Sequence, residues 1–497
     1  MRRDEFLRCV RAKSVAGDLP AQLGPPRQDS RTVTPGDVFF ALPGLRCHGA
    51  TFAAEAVARG ATAVVCDVPV CAEPRVEVAD VREAYGAYAS AYYGHPSHAL
   101  QVIGVTGTNG KTTTVHLLQG ILRAAGLRTA TVGTLGIRTD DAPYQSTGYT
   151  TPLPENLHAA LAQLRDDRVE AVAIEVSSQG LDMGRHVGVR FAGALFTNLT
   201  PEHLDYHGTM EAYRQAKMRL FAELPTDSWA GANVEDPYGV GMLEAAPSRV
   251  RLGFGVGVGD VEAADVHLAA DAARFTLLYR GMSQAVHLPL VGRYNLENAL
   301  CASTGALAMG IDLRTIAEGL AHPPRVPGRM ERTTLPNGVH VLIDYAHTPD
   351  GFAKVFTAVR SVMTGRIFTV FGCGGDRDRV KRPIMGEIAG RMSDHVILTT
   401  DNPRSEEPEA IAQEVARGIE EAKGHWEFVK RRDEAIERAV SLSRPGDTVL
   451  VLGKGAESYQ IIGNTRIPYS EHAVVMAMAH RLSASPVATG STPDPQP

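Results

Sequence analysis

The sequence predicts an α/β protein built from three domains, and three observations lead to that prediction. The chain has 497 residues, too many for one compact core at about 150 residues per domain. Its middle part alternates strands, glycine turns and helices, a pattern typical of parallel sheets with crossover helices. A loop-like segment at 93–100 and a proline-rich segment at 322–330 interrupt that pattern. We therefore predict domains at 1–97, 98–326 and 327–482, followed by a disordered tail at 483–497.

Composition narrows the class of protein. Hydrophobic residues make up 44% and charged residues 21% of the chain, as in ordinary globular proteins, and the formal charge is −6. This balance gives no reason to expect a nucleic-acid partner or membrane insertion. The 6 cysteines form no CxxC pair, and charged residues near the amino terminus interrupt any signal-peptide core. We expect a cytoplasmic protein.

The two outer domains are predicted from short apolar strands. In the first domain a helix at 52–60 lies between strands at 38–42 and 61–68, which is the order of a small α/β domain. A longer series of strands predicts a second α/β unit after the proline-rich segment. These strands are expected at 339–346, 367–372, 395–400 and 448–453.

The strongest local signal is GVTGTNGKTTT at 104–114, between a β-branched strand and an amphipathic helix. Glycines at such a turn let backbone N–H groups surround phosphate oxygens, a lysine adds positive charge, and a threonine hydroxyl can reach Mg²⁺. A turn that binds no phosphate is the alternative, which the lysine and the threonines after it disfavour. We predict ATP or another nucleotide at Gly107, Thr108, Asn109, Gly110, Lys111, Thr112 and Thr113.

Polar side chains also follow the next buried strands of the central domain. They are Glu175, Ser177 and Arg185 in one segment, and Asn198, His203, Asp205 and His207 in another. Because ligands collect beyond the carboxyl ends of parallel strands, we expect both groups to share a crevice with the phosphate loop.

Four side chains of this domain leave alternatives open. Glu175 ends a buried strand, where a carboxylate needs either a bound cation or a salt bridge. His203 and His207 have the spacing of a zinc pair, but the absence of HExxH and the nearby oxygen donors favour magnesium with nucleotide. Lys217, in a helix at 210–221, is on composition alone a solvated lysine.

The loops of the predicted third domain carry charges of both signs. Guanidinium groups bind carboxylates through paired hydrogen bonds and acidic groups bind amines, so such a set suits a zwitterionic ligand. The alternative is that each one is a solvated loop charge. The residues expected to converge are Arg377, Arg379, Lys381, Arg382, Arg404, Lys454, Asp376, Asp401 and Glu457.

These motifs resemble those of the Mur ligases, and among them the MurE type, which adds the third residue to the UDP-N-acetylmuramoyl peptide of peptidoglycan. The resemblance covers nearly the whole chain except the tail. The matching segments, in family order, are DSRTVTPGDVFFAL (29–42), GTNGKTT (107–113), YTTP (149–152), EVSS (175–178), HLDYHGTMEAY (203–213), GRYNLENAL (292–300), PGRME (327–331), DYAHTPD (344–350), GCGGDRD (372–378), DNPR (401–404) and GKGAE (453–457).

The resemblance implies a three-domain Mur ligase architecture: a UDP-binding domain, a central P-loop ATPase domain and a C-terminal Rossmann-like α/β domain that binds the incoming amino acid. It implies ATP and Mg²⁺, with catalysis by Lys111, Glu175, His203 and Lys217. The metal site would comprise Thr112, Glu175, His203 and Lys217, the last as a carbamylated lysine.

The resemblance also assigns the binding residues. Further ATP contacts would be Asn295, Asn298, Arg329, Asp344 and His347. The UDP-MurNAc-dipeptide contacts would be Gln28, Ser30, Leu45, Arg46, Cys47, Thr150, Thr151, Ser177 and Arg185. The amino-acid contacts would be Arg377, Asp401, Asn402, Pro403, Arg404, Gly453 and Glu457. The chain departs from the family pattern at Met183, at Glu202, where an aspartate commonly stands, and at Ala456, where a histidine is usual.

The implied reaction forms an amide bond. ATP phosphorylates the terminal carboxylate of UDP-N-acetylmuramoyl-L-alanyl-D-glutamate, and the amine of the incoming amino acid attacks the acyl phosphate. The DNPR motif resembles the version that accepts meso-2,6-diaminopimelate, with L-lysine or L-ornithine as the alternative. We expect a monomer whose partners are ATP, the UDP-MurNAc-dipeptide and a diamino acid.

Two rival functions remain. Folylpolyglutamate synthases share the ATPase design, but the DNPR motif and the UDP-type first domain disfavour them. An ATP-binding regulatory module without ligase turnover is a rival of another class, and the presence of Glu175 and Lys217 disfavours it.

Overall fold

The structure is a computed structural model that describes residues 1–44, 47–140, 142–269 and 271–484. Leu45 and Arg46, both expected at the UDP site, lie outside the described residues, as does the predicted tail beyond Ala484. The last helix ends at Ala484, so the first two residues of the predicted tail are helical.

The amino-terminal block forms a sheet in the order β1-β5-β4-β3-β2, with β1 antiparallel to β5 and the other neighbours parallel. Its central strands are apolar and buried on both faces, as the sequence predicts. The strands are β1 (Ser14–Ala16), β2 (Pro26–Arg27), β3 (Val38–Phe40), β4 (Ala63–Cys66) and β5 (Arg75–Glu77), and the helices are α1 (Arg3–Cys9), α2 (Ala53–Ala58) and α3 (Val81–Tyr92).

The central block forms the largest sheet, in the order β15-β14-β13-β12-β11-β10-β6-β9-β7-β8. Its strands are β6 (Gln101–Thr106), β7 (Thr129–Gly133), β8 (Gly136–Thr139), β9 (Ala171–Glu175), β10 (Gly193–Phe196), β11 (Trp229–Asn233), β12 (Val250–Val256), β13 (Val261–Leu268), β14 (Ala273–Tyr279) and β15 (Met282–Leu288). Its helices are α4 (Lys111–Ala124), α5 (Pro154–Asp166), α6 (Ser178–Asp182), α7 (Leu204–His207), α8 (Met210–Ala222), α9 (Gly239–Ala245), α10 (Arg293–Ala308) and α11 (Leu313–Ala321).

The central sheet differs from the prediction at its margins. Neighbours from β13 across to β7 are parallel, but β8, β14 and β15 run antiparallel to their neighbours. The cause is local at one margin, where Arg280 and Gly281 have φ of +50° and +76° and close a two-residue turn between β14 and β15. Such turns make hairpins and leave no room for a crossover helix.

The two faces of the central sheet bury separate cores. Val102 of β6 points to one face and Ile103 to the other, because successive side chains of a strand alternate. Leu118 of α4 and Leu300 of α10 pack on the Ile103 side, and Leu220 of α8 packs on the Val102 side. Helices on both faces therefore fix the strand ends that carry the site.

The third block forms a sheet in the order β16-β17-β21-β18-β19-β20, in which only the β16 and β17 pair is antiparallel within the described residues. A separate hairpin, β22 with β23, follows it. The strands are β16 (Glu331–Thr334), β17 (His340–Asp344), β18 (Ile367–Phe371), β19 (His395–Leu398), β20 (Trp426–Phe428), β21 (Thr448–Leu452), β22 (Tyr459–Ile462) and β23 (Thr465–Pro468), and the helices are α12 (Pro349–Val362), α13 (Lys381–Met392), α14 (Pro408–Glu421), α15 (Arg432–Leu442) and α16 (Glu471–Ala484).

Parallel strands dominate the second and third sheets, and helices cover them. This confirms the predicted α/β class. Among the residues described, no helix combines the length and the apolar composition that a membrane span requires.

Candidate active site

One cleft of about 1630 Å³ lies where the central and third sheets meet. Its walls are the loops after β6, β9 and β10 on one side and the loops after β17, β18, β19 and β21 on the other. Carboxyl ends of parallel strands are the usual place for ligands in open α/β sheets. The loops that the sequence singled out therefore face one another across a shared space.

The structure brings most of the predicted site residues to this cleft. Gly107, Thr151, Lys217 and Pro403 lie close behind its surface, whereas Gln28, Ser30 and Cys47 lie elsewhere, in the amino-terminal block. The predicted residues that line the cleft are Thr108, Asn109, Gly110, Lys111, Thr112, Thr113, Thr150, Glu175, Ser177, Arg185, Asn198, His203, Asp205, Asn295, Asn298, Arg329, Asp344, His347, Arg377, Arg379, Lys381, Asp401, Asn402, Arg404, Gly453 and Glu457.

The phosphate loop joins β6 to α4 through two glycines, and a side chain at either position would force neighbouring atoms to move. Gly107 and Gly110 have φ of +148° and +88°, and a Cβ on Gly110 would lie 2.2 Å from the Oδ1 atom of Asn298. Lys111 Nζ donates to the carbonyl oxygens of Gly107 and Thr108, both at 2.9 Å. Burial lowers the pKa of Lys111. The ammonium thus sits over the loop at the start of α4.

Glu175 is held by hydroxyl and amide groups. Its Oε2 atom accepts hydrogen bonds from the hydroxyls of Thr112 at 3.0 Å and Thr134 at 3.1 Å, and its Oε1 atom accepts from the Thr134 amide at 3.0 Å. Among the described residues, no lysine, arginine or histidine nitrogen lies within 4.0 Å of this carboxylate, so the salt-bridge alternative does not hold. Thr134, which sequence reasoning missed, also contacts Thr150 Oγ1 at 3.0 Å.

Lys217 is buried behind the phosphate loop, which excludes the solvated-lysine alternative. Its Nζ atom donates to Gly107 O at 2.7 Å and lies 4.5 Å from the centre of the Tyr213 ring. Burial, together with the nearby charge of Lys111, places the pKa of Lys217 well below its usual value. The amine is therefore disposed to be neutral.

Glu202 is a second residue that sequence reasoning missed as part of the site. Its side chain is only 10% exposed, and its Oε1 atom lies 3.0 Å from His347 Nε2 of the third block. Burial alone would raise the pKa of Glu202, but the hydrogen bond and the charges of His347 and His203 hold it well below its usual range. The only signal in the sequence was that Glu202 stands where an aspartate is common in the family.

The predicted histidine pair is divided by the fold. His203 lines the cleft, whereas His207 turns to the Ser178 hydroxyl, 3.1 Å from its Nε2 atom. Within the described ranges, no three His, Cys, Asp or Glu side chains form a cluster that could hold a metal ion, which gives the zinc alternative no support. Thr112, Glu175 and His203 nevertheless lie around the same loop.

Neighbouring groups hold the predicted ATP contacts of the third block in place. Arg329 Nη2 donates to Thr112 Oγ1 at 2.9 Å, and its guanidinium lies 4.6 Å from the Tyr345 ring centre. Asp344 accepts the backbone N–H groups of Met330 and Ala346, both at 2.8 Å, and burial raises its pKa. Asn295 and Asn298 stand on α10 opposite this group.

The predicted dipeptide contacts are tied to one backbone segment. Thr151 Oγ1 donates to Glu175 O at 3.0 Å and accepts from the Ser177 amide at 2.9 Å, and Arg185 Nη1 donates to Thr151 O at 3.1 Å. The Arg185 guanidinium lies 4.4 Å from the Tyr149 ring centre. These residues adjoin Glu175, whereas Ser30 donates to Glu55 Oε2 at 2.9 Å in the first block.

Some of the charged side chains of the third block already form salt bridges, and others have no carboxylate partner among the described residues. Arg382 is fully buried between Glu406 and Glu414, and Lys454 is buried between Glu457 and Asp401, with Nζ to oxygen distances of 2.8 and 3.6 Å. Arg379 pairs with Glu414. The expectation that all these charges await a ligand is therefore wrong for Arg379, Arg382 and Lys454, because carboxylates of the protein already pair with them.

Arg377 and Arg404 differ from the rest. Among the described residues neither guanidinium has a carboxylate within 4.0 Å; Arg404 Nη1 donates to Gly375 O at 2.7 Å and Arg377 Nη1 to Asp376 O at 3.4 Å. Burial and the positive charge of Arg377 lower the pKa of Arg404. Two cationic side chains at one wall of the cleft form a site for an anionic group.

Comparison with known proteins supplies independent findings. Family descriptions match the chain as "Mur ligase family, catalytic domain" at 27–93, "Mur ligase middle domain" at 105–306 and "Mur ligase, glutamate ligase domain" at 328–455. The UDP-N-acetylmuramoyl-L-alanyl-D-glutamate--2,6-diaminopimelate ligase of Geobacillus thermodenitrificans is 41% identical over 459 residues, 90% of this chain and 93% of the relative.

Solved structures agree on the architecture. The structure of a UDP-N-acetylmuramoyl-L-alanyl-D-glutamate--2,6-diaminopimelate ligase is 32% identical, with a TM-score of 0.68 over 97% of this chain and 99% of that one. The folylpolyglutamate synthase of Mycobacterium tuberculosis, complexed with ADP and AMPPCP, is 19% identical, with a TM-score of 0.63 over 81% of this chain and 95% of that one. The second similarity shows the fold alone.

The fold and the cleft define a nucleotide-binding α/β protein in which a phosphate loop faces a cationic wall on a separate sheet. The family matches cover most of the chain, and the relative at 41% identity covers 90% of it. The chain belongs to the Mur ligase family.

Proposed function

We propose that this Mur ligase uses ATP to join meso-2,6-diaminopimelate to UDP-N-acetylmuramoyl-L-alanyl-D-glutamate, a step in peptidoglycan precursor synthesis. The observation that carries the proposal is the cleft itself. It sets the phosphate loop at Lys111 against Arg377 and Arg404, the guanidiniums without carboxylate partners described above. The names of the relatives at about 40% identity support the same ligation.

The reaction requires two displacements that the cleft can position. The terminal carboxylate oxygen of the dipeptide takes the γ-phosphoryl group from ATP, and ADP leaves. The amine nitrogen then attacks the acyl carbon, the C–N bond forms, phosphate leaves with its oxygen, and the nitrogen loses a proton. Lys111 and Arg329 would stabilise the negative charge that develops on the phosphoryl oxygens. No covalent intermediate with the protein is needed.

The donor set fits the predicted magnesium ion. Magnesium prefers oxygen ligands, and the Thr112 hydroxyl and the Glu175 carboxylate lie 3.0 Å apart beside His203. Lys217 would join them as a carbamate, formed when its neutral amine attacks carbon dioxide and loses a proton. When bound, the ion would offset the charge of the phosphates.

The proposed contacts divide along the chain. Asn295, Asn298, Asp344 and His347 would bind ATP, and Thr150, Thr151, Ser177 and Arg185 would bind the muramoyl dipeptide. Gln28, Ser30, Leu45, Arg46 and Cys47 would bind the UDP end, and of these Gln28, Ser30 and Cys47 lie away from the cleft. The domain limits at 97, 326 and 482, the monomeric state and the cytoplasmic location stay predictions.

For the incoming amino acid, the distal carboxylate of diaminopimelate would lie between Arg377 and Arg404. Asp401 and Glu457 would then lie near the distal amine, although Glu457 already accepts from Lys454 and from Asn402 Nδ2 at 3.1 Å. Lysine and ornithine lack the distal carboxylate and would leave both guanidiniums unpaired.

Phosphate release tests the proposal. Purified enzyme is given ATP, Mg²⁺ and UDP-MurNAc-dipeptide with meso-diaminopimelate, L-lysine or L-ornithine in turn. A separate reaction holds ATP, Mg²⁺, a folate acceptor and L-glutamate. We expect release above background with diaminopimelate and a tripeptide product by mass spectrometry. Release only with lysine or ornithine would overturn the amino-acid assignment. Release with a folate acceptor and L-glutamate would overturn the Mur substrate.

A further inference from the structure

The hairpin β22–β23 contributes little to any core. All of β23 is exposed, and Ile462 and Ile467 are 48% and 43% exposed. A two-stranded hairpin is marginal on its own in water. Burial of apolar surface therefore does not explain why the hairpin lies next to Glu457.

The hairpin is joined to the loop that follows β19. Gln460 Nε2 donates to Thr400 O at 3.1 Å and to Asp401 O at 3.0 Å. The Ile461 amide donates to Asn402 Oδ1 at 2.9 Å. A single strand thus holds three successive residues of the loop that carries the DNPR motif.

The same strand fixes the backbone of Arg404. This residue has φ of +52°, a left-handed conformation that is uncommon for residues other than glycine. The Arg404 amide donates to Ile461 O at 3.1 Å, and the Gly463 amide donates to Arg404 O at 2.8 Å. Both backbone groups of Arg404 are therefore satisfied by the hairpin, in a parallel bridge with Ile462.

The direction of the Arg404 side chain follows from this backbone. Its guanidinium reaches Gly375 O at 2.7 Å on the loop after β18, and the Gly375 amide returns a hydrogen bond to Asn402 O at 2.9 Å. Without the hairpin, relaxation of Arg404 to a common φ would move its side chain away from Arg377. Two side chains join hairpin and loop: Asn402 of the loop accepts from the Ile461 amide, and the half-buried Gln460 of the hairpin donates to the loop carbonyls.

We propose that Gln460 is a positioning residue that fixes the DNPR loop so that Arg404 selects the amino acid with a distal carboxylate. The inference rests on the proposed function, because it assigns the amino-acid site to Arg377 and Arg404. Gln460 touches no substrate in this assignment and acts through the loop alone.

The test compares two variants in the full-length enzyme. Gln460→Met keeps the length of the side chain and removes its donors. Thr465→Ala changes an exposed residue of the same hairpin with no side-chain hydrogen bond among those described. Kinetics are measured for diaminopimelate, L-lysine and ATP, with the melting temperature of each variant.

For Gln460→Met we expect a rise of about 5- to 50-fold in the KM for diaminopimelate, since two ordinary hydrogen bonds are lost. The KM for ATP and the melting temperature should stay close to wild type, and the preference for diaminopimelate over lysine should fall. Thr465→Ala should match wild type throughout.

Two results would overturn the inference: an unchanged KM for diaminopimelate in Gln460→Met, or an equal rise in the KM for ATP, which would indicate general loosening. A wild-type enzyme that prefers lysine would instead overturn the proposed substrate. The same comparison, made with lysine, would then decide the role of Gln460, because an unchanged KM for lysine in Gln460→Met would also refute positioning of the loop.

Discussion

Replacing Arg404 by alanine tests the cationic wall of the cleft most directly. Its guanidinium is half-buried and donates only to carbonyl oxygens among the described residues. Burial, and then the charge of Arg377, lower the pKa of Arg404. A substrate carboxylate placed there would make charge-assisted hydrogen bonds worth about 2–3 kcal/mol at such a partly exposed site. Their loss corresponds to a decrease of about 30- to 160-fold in kcat/KM for meso-diaminopimelate.

The assay is steady-state phosphate release with diaminopimelate and, in parallel, L-lysine. Lysine has no distal carboxylate, so Arg404→Ala should leave its low kcat/KM unchanged or raise it, and the KM for ATP should not move. Arg404→Lys keeps the charge but not the paired hydrogen bonds, and it should fall between wild type and alanine. Arg391→Ala, an exposed arginine of α13 that pairs with Glu387, is the matched control.

An equal decrease for diaminopimelate and lysine would refute the reasoning. It would mean that the guanidinium supports the loop through Gly375 and does not bind the distal carboxylate.

Three further predictions concern catalysis and stability. Lys111→Ala should abolish phosphate release, because it removes the charge over the phosphate loop; turnover at the wild-type rate would make the loop structural. Lys217 should carry a carbamate. The intact mass should then show the added mass of carbon dioxide, and short carboxylic acids should restore part of the activity of Lys217→Ala. A free amine at Lys217 in the active, substrate-bound enzyme would exclude the carbamate. Burial lowers the pKa of His158 from 6.5 to about 4. As the pH drops, His158 is therefore protonated in the unfolded chain before it is protonated in the folded one, so the free energy of unfolding should fall between about pH 6.5 and 4. In urea unfolding, the free energy of unfolding of His158→Gln should fall by about 3 kcal/mol less than that of the wild type over this pH range. An equal dependence on pH in both proteins would contradict the prediction.

Local patterns made the phosphate loop and its strands predictable. Gly107 and Gly110 are required by positive φ within a few residues of the strand, so the sequence already contains the cause. The same holds for Glu175, which ends a buried strand. Such features depend on neighbours in the chain and need no knowledge of the tertiary fold.

Charge pairing across long sequence separations was beyond sequence reasoning. Arg382 was expected to be a ligand-binding cation, but it pairs with Glu406 and Glu414. Lys454 has one partner nearby in sequence, Glu457, and a second, Asp401, that only the fold brings to it. Glu202 was overlooked for the same reason, because its partner His347 follows a strand of another sheet. A motif shows that charges are present, whereas only the fold shows which are already paired.

The third block touches the phosphate loop and the loop after β10 through polar contacts that have a chemical consequence. Arg329 bonds Thr112, Asn109 Nδ2 donates to Asp350 Oδ2 at 2.7 Å, and His347 meets the Glu202 carboxylate. An acyl phosphate reacts with water as well as with an amine, so amide formation needs the amine in place while water is excluded. Two of these contacts end on the loop that would hold ATP, and the third ends on Glu202, which lines the same cleft. The arrangement of the two sheets that brings Arg404 toward the acyl group is therefore the same one that completes the phosphate site. Nucleotide and amino acid would therefore favour one arrangement of the two sheets.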